Sequence, residues 1–263
     1  MNIQVMLDEA LRNKQAQRKS EDRSGKISPS KLGRCYRMSF WYRSKEEETN
    51  KPDDRTLRVF AVGNLFHEFV QQFLPEHQVE VKVETDDILG YADIVCEEEI
   101  IDLKSQHSGS FWYMEKANFD INKEKHDAIL QTMIYAKLLN KPKTRLVFIS
   151  KDDFCIAEYP FIYKEWEEEL EKELGMLRSI WDRQALPQAS PRCYGGTECL
   201  YCNFFNKCYK LEGTKHPMEQ MLVYLKTLKS SSPRAKEKKI KAKIEEATNG
   251  DKQDTSAEPK PIS

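Results

Sequence analysis

Four short motifs stand in fixed order along this chain of 263 residues: Gly63-x-x-x-His67, Gly90-Tyr91-Ala92-Asp93, Asp102-Leu103-Lys104 and Gln131-x-x-x-Tyr135. Asp102 and Lys104 lie two apart in an apolar run, so on a strand both leave one face while Leu103 points to the other. Asp93, near the end of the preceding apolar segment, can meet Asp102 across a strand pair. Two carboxylates that close repel unless a cation sits between them. A hard divalent cation fits, with His67, Asp93 and Asp102 as ligands and the Leu103 carbonyl as a further one; the imidazole shades the choice from Mg²⁺ toward Mn²⁺. Such a cation would polarise a phosphoryl oxygen and acidify a bound water, while Lys104 places that water or stabilises charge at phosphorus. Gln131 and Tyr135, four apart on one helix face, can orient Lys104 or hold the substrate backbone. The chemistry is phosphodiester hydrolysis. Each motif alone also reads as an ion pair on a strand, a satisfied histidine or a polar helix edge. The ordered set favours a site, and a charge inside an apolar strand needs a partner.

A second constellation is made of sulfur. Cys199-x2-Cys202-x5-Cys208 brings three thiols within ten residues, a spacing that lets a loop wrap a metal. The fourth ligand is either Cys35, far upstream, or the local Cys193, and spacing does not choose between zinc and an iron-sulfur cluster. Cys96 and Cys155 lie in strand-like segments and read as plain buried cysteines. An odd total of seven suits metal ligands in a reducing compartment better than disulfides.

The elements that must position these groups follow an α/β pattern. An amphipathic helix is expected in the first twenty residues, and Ser28-Pro29 looks like a helix start, with Ser28 capping a helix that carries Leu32, Cys35, Met38 and Trp41. A helix over residues 57–73 shows Phe66, Phe69, Val70 and Phe73 on one face. Strands over 79–83, 88–95 and 100–103 form an antiparallel meander. A helix over 123–139 follows, then a hairpin of 145–149 with 154–159, and a long charged helix over 163–183 that ends before Pro187.

Twelve Phe, 11 Tyr and 4 Trp supply a core, and no apolar window approaches the ~20 residues of a membrane span. Without an apolar leader the protein is expected in the cytoplasm, with no membrane partner. The net charge of −1 hides an uneven distribution: residues 226–243 carry a local +7, leaving −8 elsewhere. The organisation expected is an N-terminal helical extension over 1–27, one α/β domain over 28–212, a short helical segment over 213–229 and a basic disordered tail over 230–263.

With these residues the chain resembles the RecB-type nucleases of the PD-(D/E)xK superfamily, and within them the iron-sulfur CRISPR-associated exonucleases of the fourth Cas family. The likeness spans residues 28–210 and rests on Ser28-Pro29-Ser30 before Cys35, the His67 motif, Asp93, Asp102-x-Lys104, Gln131-x-x-x-Tyr135 and the closing cysteines. It implies a restriction-endonuclease-like mixed sheet flanked by helices, with a helical, cysteine-rich cap. It implies a 4Fe-4S cluster on Cys35, Cys199, Cys202 and Cys208, metal ligands His67, Asp93 and Asp102, and a catalytic Lys104. Cys193 has no place in that pattern. The activity implied is an Mg²⁺- or Mn²⁺-dependent DNA exonuclease working 5' to 3' on single-stranded ends, beside the CRISPR integrase or a helicase or recombinase. The rival readings are a phage or mobile-element recombination or repair nuclease and a non-catalytic iron-sulfur DNA-binding module.

With DNA as substrate, Arg34, Arg37 and Arg43 among Tyr36, Phe40, Trp41 and Tyr42 suit a single strand, since stacking a base on a ring is worth about 1–3 kcal/mol. On a helix, however, Phe40 and Trp41 read as core. Phe111-Trp112-Tyr113, shortly after Lys104, suits a substrate-contacting loop.

Overall fold

Alternation within short apolar runs builds the sheet, and the loops between them set its order. A computed structural model describes residues 2–18, 25–74, 78–116, 118–227 and 233–249. The chain divides into two compact units: Met1–Glu46 with Pro52–Pro187, and Glu47–Lys51 with Gln188–Ser263. The single domain expected over 28–212 is thus split after Pro187.

In the first unit, β1 (Gln78–Glu84), β2 (Leu89–Val95), β3 (Glu99–Gln106), β4 (Lys143–Ser150) and β5 (Ile156–Ile162) lie side by side in chain order. All neighbours are antiparallel except β3 and β4. A parallel pair needs a long crossover. Here it contains α4 (Ser108–Tyr113), α5 (Ile121–Glu124) and α6 (His126–Leu138). β4 is buried on both faces: Leu146 and Phe148 join the core around Ile129, Leu130 and Met133 of α6, while Val147 and Ile149 join Ile94 and Leu103 on the other side. That second layer is closed by Phe66 and Val70 of α3 (Asp54–Gln71), on the face the periodicity marks. α7 (Tyr163–Arg183) has the expected bounds and buries Leu170, Leu174 and Leu177, a stripe at helical spacing. α1 (Ile3–Arg18) is tied to α3 by Arg12 with Asp54 and by Arg58 with Asp8.

Several expectations are corrected here. Ser28 makes no capping bond; Pro29–Lys31 form one 3₁₀ turn, and α2 begins only at Tyr36, running to Arg43. Gly33 interrupts the run at φ +69, with the Asp127 Cα 3.0 Å from where its Cβ would stand. The arginines of this segment serve the fold: Arg34 pairs with Asp127, Arg37 donates to the Pro187 carbonyl and Arg43 to that of Gly25. Arg37 and Arg43 are buried, as is Trp41, so they form no exposed strip for single-stranded DNA. Phe111-Trp112-Tyr113 belongs to a short helix, with Phe111 in the core and Trp112 and Tyr113 exposed. Cys96 and Cys155 are only half-buried.

The described residues of the second unit hold three 3₁₀ turns (Tyr194–Gly196, Glu198–Tyr201 and Gly213–Lys215), α8 (Phe205–Glu212), α9 (Pro217–Thr227) and α10 (Pro233–Asn249). α10 occupies half of the expected disordered tail. Ile240, Ile244 and Ala247, spaced four and three apart, seat it against Phe205, Met218, Leu222 and Leu225. So sparse a stripe suffices because the neighbouring helices supply most of the apolar surface. Residues 250–263 lie outside the described residues. Asn50 ties Glu47–Lys51 to this unit, exchanging hydrogen bonds with Asn206 and donating its N–H to the Asn203 carbonyl. No described helix is long and apolar enough to cross a membrane.

Candidate active site

The site forms where β2 and β3 part. Their ladder holds only Ile94 with Ile101 and Val95 with Ile100, so Asp93 and Asp102 stand one position beyond its end. There the Asp93 carboxylate replaces the lost ladder bond, its Oδ2 accepting the Leu103 N–H at 2.8 Å. β1 and β2 likewise pair on both sides of Glu80 and Asp93 but not at that pair. Glu80 has a left-handed backbone, φ +50.

Leu103 fills the α3-side core, as its place between Asp102 and Lys104 predicts. Asp102 is 1% exposed; its Oδ2 meets Lys104 Nζ at 2.7 Å, and its Oδ1 has no hydrogen-bond partner. Lys104 Nζ also donates to Gln131 Oε1 at 3.3 Å. Gln131 hydrogen-bonds in turn with the Tyr135 hydroxyl, which also meets the Tyr91 backbone. Gly90 is obligatory for this packing: a Cβ there would stand 2.6 Å from Pro29 Cγ and 2.8 Å from the Tyr135 hydroxyl. The Gly90 and Tyr135 motifs are therefore two halves of one contact.

His67 reaches from α3, with Nδ1 3.7 Å from Asp93 Oδ2. His67, Asp93 and Glu80 offer ligand atoms that all lie within 4.8 Å of one another. Asp102 stands outside that group, which the sequence reading had it complete. Glu80 belongs to none of the four motifs. Its one signal is register: the β1–β2 pairing sets it opposite Asp93. Gln71, one helical turn beyond His67, was also missed; it donates to the Asp93 carbonyl at 3.1 Å and to Glu80 Oε1 at 3.4 Å.

The fold is that of SSO0001. The chain matches that crystal structure with a TM-score of 0.53 and 22% identity, over 78% of this chain and 95% of that one. An alkaline exonuclease from Laribacter hongkongensis aligns with a TM-score of 0.37 and 12% identity, over 62% of this chain and 96% of that one. A phage related exonuclease from Haemophilus somnus aligns with a TM-score of 0.43 and 15% identity, over 57% and 80%. No protein-family model and no curated protein matches the sequence.

The electrostatics suit a cation. Burial pulls Lys104 down, but Asp102 and Asp93 outweigh it and hold the ammonium above its ordinary value, hence charged. Burial, then Lys104, lowers His67 and leaves a neutral imidazole, the form that ligates metals. Tyr135 is raised by burial and then by the two aspartates, so it stays a phenol. Burial, then repulsion from Asp102, pushes the Asp93 carboxyl up to about 7 despite Lys104 and the Leu103 N–H. The folded chain therefore keeps a proton that the unfolded chain releases near pH 4, and metal-free stability falls as pH climbs from about 4 toward 7. A cation bound by Asp93 would displace that proton. Its apparent affinity should rise about tenfold per pH unit up to roughly pH 7 and then level off. Calorimetric titration with Mn²⁺ in buffers of unlike ionisation enthalpy should read about one proton released at pH 6 and almost none at pH 8.5. Equal release at both would contradict it.

Of the sulfur constellation, Cys199, Cys202 and Cys208 lie in the second unit and Cys35 in the first, where it is the N-cap residue of α2. The Cys202 sulfur accepts the Phe204 N–H at 3.4 Å, and Cys199 and Cys202 border the apolar cluster around Phe205. A thiolate-rich donor set with an N–H donated to sulfur suits a soft metal or an iron-sulfur cluster. Cys193 is buried in the same unit.

Proposed function

We propose that this protein is a divalent-cation-dependent deoxyribonuclease of RecB type that hydrolyses phosphodiester bonds at DNA ends. The observation that carries this reading is Asp102, a buried carboxylate whose Oδ2 meets the charged Lys104 at 2.7 Å, whose Oδ1 has no hydrogen-bond partner, and which faces a second carboxylate. The ion pair with Lys104 leaves Oδ1 unsatisfied, and a bound cation would satisfy it. Bound by Asp93, Asp102 and His67, Mg²⁺ or Mn²⁺ would supply a polarised phosphate and a more acidic water. The chain's own groups do the rest. Lys104 offers its charge to the phosphorus centre, Gln131 holds the ammonium in place, and Tyr135 fixes Gln131. We further propose, from the resemblance of the motifs, a 4Fe-4S cluster on Cys35, Cys199, Cys202 and Cys208. Polarity 5' to 3', preference for single strands, and work beside a CRISPR integrase or a helicase rest on the resemblance of the motifs; a phage recombination or repair nuclease would share the chemistry.

Protein purified without oxygen should shorten end-labelled single-stranded DNA in Mn²⁺ or Mg²⁺, be inactive in chelator, and carry about four irons with a brown absorbance. DNA binding without metal-dependent product would leave a binding module. A colourless protein with stoichiometric zinc would overturn the cluster.

A further inference from the structure

The motif set leaves Glu80 without a task, yet its surroundings are those of a ligand. It lies opposite Asp93 at the one position where the β1–β2 ladder is interrupted, on a backbone at φ +50 that a glutamate rarely adopts. Its carboxylate shares a 4.8 Å sphere with His67 and Asp93. Gln71 clips Glu80 and the Asp93 carbonyl to the helix face that carries His67. Glu80 is exposed yet turns to Gln71, His67 and Asp93, whereas Glu84, four residues further along β1, pairs with Lys26 and Lys82. A second observation points the same way: the buried Asp102 has Oδ1 free of any hydrogen bond and its charge is felt at both His67 and Asp93. Negative charge converges here from three strands, and apart from Lys104 no cation is drawn into an ion pair with Asp93 or Asp102 among the described residues.

We infer that Glu80 is a further ligand of the divalent cation, adding its carboxylate to those of Asp93 and Asp102 and to the His67 imidazole. This inference rests on the cation-dependent reading above. Carboxylates with an imidazole suit Mn²⁺ better than Mg²⁺ or Ca²⁺, which prefer an all-oxygen shell. β1 then contributes directly to the site through an exposed carboxylate, at the position where its ladder with β2 is interrupted.

The test is Mn²⁺ binding by the full chain, followed by calorimetry and by the loss of the free-ion electron paramagnetic resonance signal. Glu80→Gln keeps shape and removes charge; it should weaken Mn²⁺ at least about tenfold, the scale of losing a group that holds a metal. Glu84→Gln removes the same charge from the same strand and should leave Mn²⁺ affinity unchanged. Equal Mn²⁺ affinity in wild type and Glu80→Gln would overturn the assignment, as would equal weakening by both variants, which would reduce it to a general charge effect. Both variants are compared by melting temperature, so misfolding is recognised. Glu80-dependent Mn²⁺ binding in a protein that cleaves no DNA would keep this assignment and defeat the nuclease reading. Metal-dependent cleavage with Glu80-independent Mn²⁺ binding would do the opposite.

Discussion

Asp102→Asn should lower metal-dependent DNA cleavage by about a hundredfold to a thousandfold, the scale on which a single group that stabilises transition-state charge is worth about 2.7–4 kcal/mol. The amide has the size of the carboxylate, so the void cost of an alanine is avoided. What changes is charge. A buried carboxylate with one oxygen on Lys104 and the other open becomes a neutral group that binds hard cations poorly. The fold should survive, because Lys104 keeps Asp93 as a counter-charge and Gln131 as an acceptor. Repulsion at Asp93 falls at the same time, so its carboxyl drops below its present value of about 7. The measurement is initial rate on end-labelled DNA in saturating Mn²⁺, with circular dichroism to confirm the fold. Near-normal cleavage by a folded Asp102→Asn protein would dismiss the site.

Gly90→Ala should be the most damaging single methyl in the first unit. The new Cβ would stand 2.6 Å and 2.8 Å from two ring carbons of Pro29 and 2.8 Å from the Tyr135 hydroxyl. A proline ring cannot swing aside, so the strand or the tyrosine must move, at about 1–3 kcal/mol for an overpacked position. In a unit of this size that lowers the melting temperature by roughly 5 °C. Displacing Tyr135 also releases Gln131 and through it Lys104, so kcat should fall about tenfold or more with KM little changed, since a misplacement of one ångström can cost a hundredfold. Gly175→Ala is the comparison. Nothing lies within 4 Å of its Cβ, and alanine suits a helix interior better than glycine, so stability should hold or rise. If the two substitutions melt alike, the Gly90 contact has no special weight.

How much of this was legible beforehand varies with the range of the interaction. The bounds of α7, the meander of β1 to β3 and the burial of Leu103 between Asp102 and Lys104 follow from period alone, because 3.6- and 2-residue repeats are local properties of the chain. The four motifs could be assembled because each lies within one such element. Ser28 misled because a capping residue before a proline describes a local preference, whereas the helix start was decided by Gly33 packing on Asp127, 94 residues away. Arg37 and Arg43 misled in the same way: their neighbours in sequence are aromatic, but their partners in space are backbone carbonyls.

The sequence by itself determined the kinds of element, the acid and base on one strand, and the chemistry that a cation beside them would support. Only the tertiary structure decided that α10 is seated on α8 and α9, that Gly90 and Tyr135 are a single contact, and that Glu80 joins His67 and Asp93. The reason is register. Which residues of neighbouring strands and helices face one another is set by packing over the whole unit, and a side chain's identity carries no record of its partner.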